Sequence, residues 1–96
     1  MSHIWLNIKG YEPRDFPVGT IVIAHDKHRL YPAIVIRHTE KNLFILENNG
    51  TWGCGRKDPD KCVPAHPSCF DDMSVLQSLI DWYNKENNTN IILKFI

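Results

Sequence analysis

Three cysteines and a histidine, Cys54, Cys62, His66 and Cys69, lie close together in the second half of the chain. Thiolate sulfur and imidazole nitrogen are the donors that tetrahedral zinc prefers, so this set is the first candidate for chemistry. The spacing C-x7-C-x3-H-x2-C lacks the two-residue cysteine pair of the common zinc knuckles. Free cysteine also serves as a small buried apolar side chain. The set is therefore read first as structural and second as a zinc site, and no metal or cofactor is assigned. A cysteine beside a histidine is also the one pairing here that suggests a nucleophile and its base, but a 96-residue chain with tight loops offers little cleft to hold them. No catalytic residue is assigned and an enzyme is not expected. His25 and His28 stand in a polar cluster and are read as facing solvent.

A second group is cationic. Lys27 and Arg29 lie in one polar segment, and Arg56 and Lys57 lie in another. If the two segments share a face, a few phosphate contacts would follow, giving weak, salt-sensitive and sequence-independent DNA binding through Lys27, Arg56 and Lys57. The bland alternative is a set of solvated loop charges. Eleven Lys and Arg against eleven Asp and Glu leave a net charge of zero, which removes the broad basic field of a dedicated nucleic-acid binder.

The elements that must position these side chains are short and extended. Residues 19–24, Gly-Thr-Ile-Val-Ile-Ala, are rich in β-branched side chains and read as a first strand. Residues 31–38 and 43–47 read as the second and third strands, with Pro32 tolerated at a strand start or edge. Asn48-Asn49-Gly50 is a tight-turn signal, because Asn and Gly accept positive φ. A fourth strand is expected at residues 51–55, a charged loop at 56–61, and a brief fifth strand at Cys62-Val63-Pro64. From Phe70 the period lengthens: Met73, Leu76, Leu79, Ile80 and Tyr83, supported by Val75, recur three and four apart and form one apolar helical face. Asp71, Asp72 and Ser74 suit the start of that helix, and a run of asparagines ends it. Residues 91–96 are a final apolar stretch that could add a strand.

Ninety-six residues allow one core, and 43% hydrophobic residues are enough to fill it. The expected organisation is a lead-in at residues 1–18 packing on the rest, with Trp5 as a cap, a β barrel at 19–69, and a helix with a terminal apolar segment at 70–96. The fold class is mainly β: a five-stranded, SH3-like barrel with a C-terminal α-helix. No apolar run approaches the ~20 residues of a membrane span, no membrane partner is expected, and the start of the chain carries no signal-peptide pattern. An odd number of cysteines fits a reducing compartment.

The span from Gly19 to Pro64 resembles a PWWP domain, of the Tudor-like group of chromatin readers. Gly19-Thr20-Ile21-Val22-Ile23-Ala24 is similar to that family's Gly-Asp-Leu-Val-Trp-Ala opening, and Tyr31-Pro32-Ala33 to its Trp-Pro-Ala. Leu43 to Glu47, Thr51-Trp52-Gly53 and Lys61-Cys62-Val63-Pro64 fall where the family has its third strand, its Thr-Trp turn and its Leu-Val-Pro closure. The resemblance covers about half the chain. It implies a nuclear protein that binds methylated histone lysine in a cage of aromatic faces by cation–π attraction, together with DNA phosphates. Of the cage walls, the aromatic before Pro-Ala is kept as Tyr31, the second falls at Arg29 or Leu30, and the third at Ile45, with Phe44 adjacent but on the opposite face. Trp52 would stand near the open end of the barrel. An arginine at the second wall repels a cationic ligand, so the alternative is a protein-interaction module with a degenerate cage and no histone or DNA affinity.

Overall fold

The computed structural model describes residues 10–47 and 53–96, Gly53 and Cys54 through their backbone alone. Trp5, Trp52 and the Asn-Asn-Gly turn lie outside the described residues. Five strands follow in chain order: β1 at Ile21–His25, β2 at Leu30–His38, β3 at Leu43–Glu47, β4 at Gly53–Lys57 and β5 at Cys62–Pro64. They make one open antiparallel sheet in the order β4-β3-β2-β1-β5, so the last strand returns beside the first. One helix, α1 at Ser74–Asn87, follows.

Both faces of this sheet are buried, each by alternate residues of the same strands. On one face Val22, Ala24, Tyr31, Ala33, Val35, Leu43, Ile45 and Cys62 gather with Phe16 from the lead-in, and Tyr11 packs beside them with its ring 5.1 Å from that of Phe16. On the other face Ile21, Ile34, Ile36 and Leu46 meet Leu76, Leu79 and Ile80 of α1. The helix thus uses the apolar stripe that its period predicts, except that Val75 points away and is 55% exposed. Residues 91–96 seal the same side: Ile91, Leu93 and Phe95 face the core, while Ile92 and Ile96 are exposed.

That terminal segment is held by backbone rather than by a full strand ladder. It makes one parallel bridge, Thr20 with Lys94, through Lys94 N–H donating to the Gly19 carbonyl and Ile21 N–H to the Lys94 carbonyl, both at 3.0 Å. Gly19 has φ +97°, which a glycine adopts without the Cβ penalty, and its own N–H donates to Val35 at 2.7 Å. At the helix end Asn88 takes the left-handed conformation, φ 55°. Asn84 then ties helix to tail: its Nδ2 donates to the Ile91 carbonyl at 2.9 Å, and its Oδ1 accepts from Thr89 Oγ1 at 2.8 Å and from Ile91 N–H at 2.9 Å.

Several boundaries differ from expectation: β1 is Ile21–His25 where 19–24 was expected, and β2 begins one residue early, at Leu30. Arg56 and Lys57 belong to β4 and not to a charged loop, because Leu43 and Phe44 take them as partners in the ladder. The helix begins at Ser74, after a turn of 3-10 helix at Pro67–Cys69, and the Asp72 carboxylate accepts both the backbone N–H and the hydroxyl of Ser74. Those bonds hold the Asp72 carboxyl below its ordinary pKa.

Candidate functional site

The residues singled out for chemistry separate into three places. Cys62 is fully buried in the sheet's inner core, where loss of hydration pushes its thiol up to about 12. His66 and Cys69 are exposed, and the His66 ring accepts the Ser68 N–H at Nδ1 instead. The side chain of Cys54 is outside the described atoms, and among the described residues no three His, Cys, Asp or Glu side chains are grouped to hold a metal.

The second place surrounds Tyr31. Strand alternation puts Tyr31 of β2 on the inner face with Ala24, its partner in β1, and leaves the ring 7% exposed. The turn from β1 to β2 is drawn tight by Asp26, whose Oδ1 accepts the N–H groups of His28 at 3.0 Å and Arg29 at 3.1 Å. The carboxyl of Asp26 lies below its ordinary pKa, chiefly through the His28 bond, with the Arg29 bond and the charges of Arg29 and Lys57 adding to it. This turn folds Arg29 back over the strand it precedes. Its Cζ stands 4.1 Å from the centre of the Tyr31 ring, a cation–π distance. Its Nε faces the Asp26 carboxylate at 3.4 Å, and its Nη2 donates to Glu47 of β3 at 3.1 Å. Lys57, from the far strand β4, brings its Nζ to 5.5 Å from the same ring.

Two acids and two bases therefore close over one tyrosine, and their charges cancel. The arginine expected at the second wall is indeed beside Tyr31, but it lies on the ring face instead of standing next to an empty pocket. Ile45, the third expected wall, is 2% exposed and packed in the core below. Tyr31 and Ile45 thus form part of a filled inner face. What the spacing in sequence did not signal is Glu47, eighteen residues beyond Arg29, which fastens the guanidinium in place.

The third place lies on the opposite face and gathers Arg37, Lys41 and Arg56 about Phe44. Between Val35 and Arg37 the register of β2 against β3 slips by one residue, so Arg37 as well as Ile36 turns to the helix side. Arg37 then pairs with Phe44 and lays its guanidinium 4.2 Å over that ring. Arg56 flanks Phe44 from β4. A recess of about 380 Å³ opens there, lined by Thr39, Glu40, Lys41, Asn42, Phe44 and Arg56. Alternation thus sends Arg56 and Lys57 to opposite faces, and Lys27 is exposed in the first turn, so the three expected DNA contacts do not share one surface.

No known protein family matches this sequence, and no curated protein or solved structure shows recognisable similarity to it. Among the described residues no helix is long and apolar enough to cross a membrane.

Proposed function

We propose that the chain is a non-catalytic protein-interaction module, an SH3-like roll left open between β4 and β5, whose aromatic site is filled by its own arginine. The return of β5 to β1 supports the roll, as does the reach of Lys57 from β4 to a ring on β2, which requires the sheet to curl. One observation carries the functional reading: Arg29, held by Asp26 and Glu47, occupies the face of Tyr31 that a methylated lysine would need. To bind there, such a ligand must displace a cation already paired with two carboxylates. The exchange replaces one cation–π contact of roughly 0.5–2 kcal/mol with another and sacrifices the ion pairs.

The reader of methylated histone lysine is the second reading, acting in the nucleus with weak DNA contacts. Its support is that Tyr31 presents a face on which a cation does sit. Calorimetry with a histone-tail peptide, unmodified and trimethylated at one lysine, separates the two. The interaction module binds both peptides equally or neither. A preference of about tenfold or more for the trimethylated form, equivalent to about 1.4 kcal/mol, would establish the reader and remove the first proposal.

A further inference from the structure

The outer side of β4 is an edge: among the described residues no strand pairs with it and no backbone hydrogen bond crosses it. An uncovered row of N–H and C=O groups is a template for one more strand, and peptide-binding domains exploit this. Sheets commonly protect such an edge with proline, with charged side chains or under a helix; here α1 packs with Ile21, Ile34 and Leu46 on the strands further in, and Arg56 and Lys57 supply the charges. The sequence of β4 is Gly-Cys-Gly-Arg-Lys. At Gly55 nothing lies within 4 Å of where a Cβ would stand, so the inner side of the edge has room for a neighbour's side chain.

Charge then chooses the neighbour. Arg56 and Lys57 project to opposite faces of the same edge, and a cationic edge strand repels its own kind. On the Arg56 side the recess beside Phe44 carries Lys41 and Arg56 against one carboxylate, Glu40. The nearby Asp58 is a second carboxylate and keeps its charge, turned towards Asn42 Nδ2 at 2.8 Å. A carboxylate side chain from an added strand would have two cations to meet and the Phe44 ring for its methylene groups. Resting on the reading as an interaction module, we propose that the β4 edge receives an extended acidic segment of a partner protein as a sixth strand, one carboxylate seated between Lys41 and Arg56. A nucleic acid fits less well, since phosphate oxygens can accept from a strand's amides but leave its carbonyls unpaired, and the chain has no net positive charge.

The test is an amide-resolved NMR titration with three probes: a short capped peptide of alternating glutamate and valine, its lysine–valine counterpart, and a short DNA duplex. The glutamate peptide should shift the amides of Gly53–Lys57, Lys41 and Phe44 and slow hydrogen exchange on β4. Replacing both exposed cations, Lys41→Glu with Arg56→Glu, should weaken it about tenfold or more with the fold's amide spectrum kept. Equal binding of the lysine peptide, or undiminished binding by the double variant, overturns the charge selection. Shifts confined to α1 or to the Tyr31 cluster overturn the edge while leaving the interaction module standing. No shift with the glutamate peptide at millimolar concentration also overturns the edge. If in that case the duplex binds instead, the interaction-module reading falls with it.

Discussion

Replacing Gly19 with alanine tests how the terminal segment is held against the sheet. At φ +97° an L-residue pays roughly 1–2 kcal/mol for the backbone alone. The new Cβ would also overlap the Ile92 carbonyl oxygen and sit 3.2 Å from its carbonyl carbon, and both are backbone atoms that no rotamer change can move. Relief requires the segment to withdraw, which breaks the two hydrogen bonds joining Lys94 to Gly19 and Ile21. At about 1 kcal/mol each these add roughly 2 kcal/mol, for a total near 3–4 kcal/mol. In a domain of this size that lowers Tm by at least about 12 °C. Gly10→Ala is the internal control: its φ is +61°, but no atom lies within 4 Å of the added carbon, so it should cost only the conformational share. Urea denaturation of both variants reads the difference directly. If the two glycines cost the same, residues 91–96 do not press on Gly19 and the sealing of the helix-side core is misassigned.

Three further outcomes are expected. Asn84→Asp removes the donor to Ile91 and sets a charge beside its carbonyl, and should cost about 1–3 kcal/mol in denaturant melts, with a hydrogen-exchange loss centred on residues 89–91. Because burial raises the Cys62 pKa to about 12, the unfolded chain releases that proton from about pH 9 while the folded chain keeps it. Stability should fall by about 1.4 kcal/mol per pH unit between those values, and Cys62→Ala should lack that slope. In a Cys54→Ala background an alkylating reagent should modify Cys69, which is exposed, and spare Cys62 until the protein unfolds.

The strand-rich middle of the chain was legible because its side chains are β-branched and its described turns carry Asp26 and Asn42. Residues 43–47 and 62–64 fall where the pattern placed them. β4 runs two residues past its expected end because Gly, Arg and Lys have little strand propensity of their own, and only the ladder with Leu43 and Phe44 makes them extended. Phe16 escaped notice for a related reason: it lies in an irregular lead-in with no period, yet it is completely buried. The helix stripe was readable from Leu76, Leu79 and Ile80. The site was legible only in part. Arg29 could be placed near Tyr31 by spacing, but its seat on the ring depends on Glu47, and the Arg37–Phe44 stack depends on a bulge that no residue type announces.

Arg29 is seated over the Tyr31 ring, and side-chain NMR of the free protein measures that most directly. The δ-methylene and Nε–H signals of Arg29 should be displaced upfield by the ring current, show cross-relaxation with the Tyr31 ring, and return to ordinary positions in Tyr31→Leu. Arginine signals at random-coil positions in the native protein, with the Tyr31 ring free of contacts to them, would contradict it and reopen the site to an external cation.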